Sequence, residues 1–264
     1  MTKTQKELAF LLDLSVASEW TQRFADLVDK HLDLDDSDNL LYLNAGTGNH
    51  ALAIDEKFGT KTDIFATAEN EDVLQIALDK AAALSSNVDF SMLRFENDAF
   101  DTVLADGTFV RPLEVEDFIE DATRVARTGG EVAVFLPTAG SFGEVASILW
   151  EVLFTEGLGE HGAAAEKLIS DQPTVSRVEE IAKQIGLVNV QTKTELEAFE
   201  YENGAEFIAS PLVADFLLPT WLEMLDENEK ERVTEKLAQL IDAEGESLSF
   251  RFTVKATLLT SEKE

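Results

Sequence analysis

Between Leu40 and Ile54 the chain reads LLYLNAGTGNHALAI: a short apolar run, a turn with two glycines, then apolar residues at helical spacing. A strand that passes through a Gly-x-Gly turn straight into a helix has few folds open to it. The glycines let backbone turn tightly and approach a ligand, and the helix start aims free N–H groups at it. Gly46-x-Gly48-x-x-Ala51 also satisfies the loose dinucleotide fingerprint, which alone is weakly specific. A tight turn that binds nothing fits the same residues.

The rest of the chain repeats this alternation. Apolar spacing of three and four predicts helices over Leu8–Leu14, Trp20–Leu32, Ala51–Phe58, Asp72–Leu84, Val115–Ala126, Ser141–Phe154 and Val175–Ile185. Gly129-Gly130 is expected to stop the fifth of these. Strand-like runs stand between them at Leu40–Leu43, Asp63–Thr67, Val88–Met92, Thr102–Ala105 and Glu131–Leu136. Strands and helices alternating at this spacing imply a doubly wound parallel sheet covered on both faces. The ending differs: Val188–Tyr201 and Leu248–Leu259 alternate over long stretches and suit antiparallel edge strands, with a helical insert at Ala205–Ile241 between them. The expected whole is one domain over 1–264. Its N-terminal helices lie in 1–35, its cofactor-binding half in 36–137, and a helical lid with the closing strands in 138–264.

Composition narrows the partners. With 21 basic against 52 acidic residues the formal net charge is −31. Phosphate backbones and anionic lipid need a positive field to bind, so nucleic acid does not fit as a partner and a small molecule or a basic protein fits better. Acids that merely keep the chain soluble, or suit it to a salty or crowded setting, fit the same count. The acid run Asp33, Asp35, Asp36 and Asp38 lacks the glycine and terminal Glu of a calcium loop. The chain has no cysteine and three scattered histidines, His31, His50 and His161, which leaves no metal cluster, disulfide or thiol nucleophile. No stretch reaches the roughly 20 apolar residues of a membrane span, and a cytoplasmic protein is the expectation.

Four segments in order carry a resemblance. LLYLNAGTG resembles the first motif of the class I S-adenosylmethionine-dependent methyltransferases, ENEDVLQIALDKA the helix after their second strand, FENDAFDTVLAD the approach to and course of their fourth strand, and ATRVARTGGEVAVFLP their helix, Gly-Gly turn and fifth strand. The match covers Asn39–Pro137, and beyond it the topology alone agrees. The resemblance implies a mostly parallel seven-stranded α/β sheet with an antiparallel last strand and helical insertions. It implies S-adenosylmethionine held at Asn44, Ala45, Gly46, Gly48, Glu69 and Asp106, with no metal. A hydride-transferring Rossmann protein would need a second βαβαβ half, which the antiparallel ending does not supply.

The acidic positions that hold the cofactor in that family are altered here. The acid near the methionine amino group is replaced by Tyr42, and the first glycine of the turn by Asn44. The ribose-gripping acid aligns with Ala68, with Glu69 one step later, so a slip at the strand end decides between them. About five residues, including an adenine-contacting Asp, are missing between Phe90-Ser91-Met92 and Leu93-Arg94-Phe95; Asp89 and Glu96 nearby read as exposed acids. A hydrogen bond to a charged acceptor is worth roughly 1.5–3 kcal/mol, and about 1.4 kcal/mol is tenfold in affinity. Losing two such contacts turns a micromolar site into a millimolar one.

Methyl transfer needs chiefly proximity and in-line orientation. Asp106, ending the fourth strand, is the one weak catalytic candidate, as acceptor-orienting group or base; capping the turn with Gly107 is its plainer role. His50 reads as a helix-surface residue and His161 as part of a mobile segment. Trp150, Phe154, Phe216 and Trp221 have core spacing, Trp221 beside Pro219 being the best candidate for an exposed contact. Two functions follow. One is methyl transfer to a small-molecule or protein acceptor. The other is a non-catalytic relative that keeps the fold and serves as a binding or assembly subunit.

Overall fold

A computed structural model describes residues 3–34, 37–243 and 249–264. Asp35 and Asp36 of the acid run, and Leu248 of the expected last strand, lie outside the described residues. Seven strands form one sheet in the order β3-β2-β1-β4-β5-β7-β6: β1 (Asn39–Leu43), β2 (Asp63–Thr67), β3 (Asp89–Ser91), β4 (Phe100–Asp106), β5 (Ala126–Thr138), β6 (Leu187–Tyr201) and β7 (Phe250–Lys263). β1 pairs in parallel with β2 and β4, β2 with β3, and β4 with β5. β7 alone runs the other way. Ser261 Oγ donates to the Val132 carbonyl at 3.1 Å while Thr138 Oγ1 donates to that of Lys255 at 3.4 Å, so residue numbers rise in β5 as they fall in β7.

The helices are α1 (Gln5–Leu11), α2 (Gln22–His31), α3 (Asn49–Phe58), α4 (Glu71–Leu84), α5 (Val115–Val125), α6 (Gly143–Thr155), α7 (Gly162–Ser170), α8 (Val175–Ile185), α9 (Gly204–Ala209), α10 (Leu218–Trp221) and α11 (Glu227–Ala243). α1 opens with a capping box: Thr4 accepts from the Glu7 N–H, and the Glu7 carboxylate takes the Thr4 N–H. Asn70 and Thr174 cap α4 and α8 through their side chains.

Four expectations about the elements are corrected. The two N-terminal helices are one continuous helical run, because Leu12–Thr21 continues between α1 and α2 with wider π-helical turns. The Gly129-Gly130 pair does not stop α5, which ends at Val125; it lies inside β5, where the pairing jumps from Phe100↔Ala126 to Thr102↔Glu131. A Cβ on Gly130 would come within 3.0 Å of the Phe100 and Asp101 carbonyls, so the bulge needs glycine there. β7 is no edge strand: it enters between β5 and β6, and its middle is buried on both faces. The single helical insert is a series, α9, a π-helical segment Leu212–Leu217, α10 and α11.

The chain divides into two compact units, one of Met1–Leu136, Thr174–Glu195 and Ala256–Glu264, the other of Pro137–Pro173 and Leu196–Lys255. In the first, Leu41, Val103 and Val134 of the sheet pack with Ile119, Ala122 and Val125 of α5 and with Val178 and Ile181 of α8. In the second, Phe252 stacks on Phe199 at 5.0 Å and meets Phe207 and Trp221 edge-on. Trp221 is 4% exposed, as its core spacing implies, whereas Trp150 and Phe154, expected in the core, are 48% and 68% exposed and stack on each other along α6. Helical spacing defines a face; it does not say which neighbour covers it.

Candidate functional site

The glycine turn leaves the carboxyl end of β1, where open α/β sheets hold ligands. Asn44, Gly46 and Gly48 all take positive φ, at 54°, 55° and 83°. Gly48 is obligatory for a reason internal to the protein: a Cβ there would lie 2.6 Å from the Phe90 ring. The close approach this glycine permits is to the Phe90 side chain of β3. Ala45 N–H donates to the Thr67 carbonyl and Asn44 N–H to Thr67 Oγ1, which ties the turn to the end of β2.

Each expected site residue has a place here. Asn44 extends its side-chain amide to the Asp106 carbonyl at 3.3 Å and so spans from β1 to β4. Asp106 Oδ1 accepts the Thr108 N–H at 2.8 Å, the turn-capping role. Burial pushes its carboxyl up to about 7; Thr108 opposes the rise and Glu69 adds to it. Ala68 is buried, with its N–H on the Ser91 carbonyl. Glu69 is an exposed residue, yet desolvation by its neighbours raises its carboxyl, and the backbone N–H groups of Glu69 and Gly46, which face it, hold it back. Glu69 therefore addresses the glycine turn, while Ala68, which matches the ribose-gripping acid of the resemblance, offers only a methyl group, 7% exposed.

The turn is covered from outside by the N-terminal helical run. Asp13 takes the Thr47 hydroxyl and the Lys80 ammonium, both at 2.6 Å, and Lys80 also reaches Asn49. Leu12 stands 4.0 Å from where a Gly46 Cβ would be. Farther along α1, Ala9 packs with Ala68 and Val73, backed by Leu12, Leu74 and Ile76. Apolar burial and one clasp around a shared carboxylate thus hold this helical run down on the cradle.

Beneath the turn lies a polar chain that sequence reading missed. Tyr42 is 1% exposed, and its hydroxyl meets His50 Nδ1 at 3.0 Å; the far side of that ring, Nε2, lies 3.5 Å from Asp29 Oδ1. The partners agree when Tyr42 donates to Nδ1 and the Nε2 proton faces Asp29. His50 holds the Asp29 carboxyl below its usual range, with Lys57 helping. Burial drives the Tyr42 phenol well above its usual range, and the charges of Asp106, Glu69 and Asp29 push the same way. His50 is therefore buried, not on the helix surface as expected. No sequence signal joins Asp29 to His50, because the two helices meet only through the fold.

An aromatic layer completes the surroundings: Phe135 meets Tyr42 edge-on and Phe24 at a tilt, Trp20 stands 5.2 Å from Phe24, and Phe109 stacks on Trp20 at 5.7 Å. Asp89 and Glu96 are exposed, in β3 and the coil after it. His161 ends a short 3₁₀ turn in the second unit. Among the described residues, no group of three or more His, Asp or Glu is placed to hold a metal ion, and no helix is long and apolar enough to cross a membrane.

No family profile and no curated protein sequence matches this chain. Solved structures do match in fold. The YcgJ protein of Bacillus subtilis superposes with a TM-score of 0.58 at 14% identity, over 92% of this chain and 99% of that one. A phosphoethanolamine N-methyltransferase 2 of Haemonchus contortus, in complex with phosphomonomethylethanolamine and S-adenosylhomocysteine, gives 0.56 at 14%, over 98% of this chain and 57% of that one. The cyclopropane synthase MmaA2 of Mycobacterium tuberculosis gives 0.53 at 13%, over 95% and 86%. At such identities the likeness is one of fold.

Proposed function

From the class I methyltransferase fold, we propose that this chain acts as a non-catalytic binding subunit whose nucleotide cradle is closed by its own side chains. The supporting observation is the donor set. A methionine amino group needs a carboxylate where Tyr42 offers a buried phenol already committed to His50. Ribose hydroxyls need an acceptor where Ala68 offers a buried methyl. The Asn44 amide bridges to Asp106 across the mouth of the turn, and the Glu69 carboxyl faces the Gly46 N–H that a ligand carboxylate would use. A polar group already paired gains little from exchanging one partner for another. These residues do not fit S-adenosylmethionine as the resemblance implies.

The second reading, methyl transfer to a small molecule or protein, is favoured by one observation: two protonatable carboxyls, Glu69 and Asp106, stand together at the mouth of the site. In that reading Glu69 grips the ribose after a one-residue slip, and Asp106 orients the acceptor. Calorimetric titration with S-adenosylmethionine and S-adenosylhomocysteine separates the two. The binding-subunit reading expects no heat at about 1 mM ligand. Saturable binding tighter than about 100 μM that is lost in Glu69→Ala would establish the enzyme.

A further inference from the structure

The order β3-β2-β1-β4 obliges the chain leaving Ser91 to pass two strands before it enters β4 at Phe100. Such parallel crossovers usually carry a helix that packs on the sheet. Residues 92–99 contain none. From this connection Phe95 packs on the sheet, edge-on to Phe65 of β2 at 6.1 Å and to Phe100 of β4 at 5.1 Å. Beside Phe95 the missing layer leaves a groove of about 690 Å³. Leu43, Ala68, Phe95 and Val125 are among its apolar lining, Asn44 and Thr67 bring it to the glycine turn, and Met92 and Leu93, 47% and 71% exposed, line it too. Apolar side chains left open around a groove mark a contact surface.

The charge on its other wall is mixed: Arg94 and Arg124 line it together with Asp117, Glu120 and Asp121, one more acid than base. Asp117 and Glu120, three residues apart on α5, share a face and are exposed. Among the described residues neither has a cationic partner. Asp121 is different: Arg94 and Arg124 both reach it, and Arg124 is spent further on Asn97 and the Phe95 carbonyl. The groove therefore offers apolar anchors, the two carboxylates of Asp117 and Glu120 and the footprint of an absent helix.

Building on the binding-subunit reading, we propose that this groove receives a basic amphipathic helical segment of a partner protein. Its apolar face would lie on Leu43, Phe95, Met92 and Leu93, and its Lys or Arg side chains against Asp117 and Glu120. Helix-in-groove recognition needs this pairing of apolar anchors with a complementary rim, and a net charge of −31 draws cationic segments in.

The test uses the full chain with ¹³C-methyl-labelled methionine. Met92 reports on the groove and Met224 on the other unit. The probe is a synthetic peptide with Leu and Lys at amphipathic helical spacing, compared with its Leu/Glu counterpart. The Lys peptide is expected to shift the Met92 methyl signal and leave Met224 in place, and the Glu peptide to shift neither. Leu93→Gln, at an exposed position, should keep the melting temperature and weaken binding about tenfold; Asp117→Asn with Glu120→Gln should weaken it several-fold. Equal affinity in Leu93→Gln would mean mere adhesion to an acidic surface and would overturn the proposal. So would a Met92 shift caused by S-adenosylhomocysteine but not by peptide, or one that follows protein concentration alone, which would assign the groove to a nucleotide or to a second copy. A silent Met92 with no nucleotide heat removes the groove and leaves the binding-subunit reading. Tight nucleotide binding with a peptide-responsive Met92 does the reverse.

Discussion

Tyr42 occupies the position where the resemblance calls for a carboxylate, and the replacement alters what the site can hold. A phenol on His50 is a satisfied buried pair; removing its oxygen strands an imidazole nitrogen. Tyr42→Phe is expected to lose about 1–3 kcal/mol in urea unfolding, and unchanged stability would show that the pair contributes nothing. Gly48→Ala meets both a positive φ and the Phe90 ring. It should destabilise by about 1–3 kcal/mol, and Phe90→Ala in the same chain should recover only the steric part. Asp106 makes stability depend on pH. Its carboxyl sits at about 7 when folded against an ordinary 3.8, so the folded state keeps a proton that the unfolded chain has shed. The stabilisation is full below about pH 4 and is lost as pH rises through about 7. Thermal melts of Asp106→Asn, whose side-chain oxygen still accepts from Thr108, should show a flatter slope across that window than the parent. Much of this was legible at the residue scale: the losses at Tyr42, Asn44 and Ala68 stand in the sequence itself. The His50–Asp29 contact was not, since its partners come from helices that meet only in three dimensions.

At the scale of elements, the clasp of Asp13 on Thr47 and Lys80 fixes the N-terminal helical run over the glycine turn. Asp13→Asn keeps the shape and removes the charge. We expect a loss of about 1.5–3 kcal/mol, the worth of hydrogen bonds to a charged group, and faster amide hydrogen exchange at Gly46, Thr47 and Gly48. Exchange that rises elsewhere and not in the turn would contradict the clasp. The strands and helices of the first half were readable because period two and period 3.6 differ plainly in short windows. The π-helical turns of Leu12–Thr21 were not, since LDLSVASEWT has the same periodicity either way. Gly129-Gly130 misled for a physical reason: glycine serves a helix stop and a strand bulge equally well. The interior place of β7 is not legible in the sequence, because alternation shows that a face is buried, not how many neighbours the strand pairs with.

At the scale of the molecule, a formal charge of −31 sets the protein against its own folding through self-repulsion. Added salt shortens the reach of that repulsion to about 8 Å at 0.15 M, so the melting temperature should rise with sodium chloride; a fall would place the balance in attractive ion pairs. The fold was recoverable from four motifs in order, whereas the closure of the cradle depends on contacts among β1, β2, β4 and the N-terminal helices that no single motif encodes. That closure is the central claim, and the amide signals of Gly46 and Gly48 read it directly. With ¹⁵N-labelled protein and S-adenosylhomocysteine at about 1 mM, a ligand concentration matching about 4 kcal/mol of binding, both signals are predicted to stay where they are. Saturable shifts of those two amides at micromolar ligand would contradict the account.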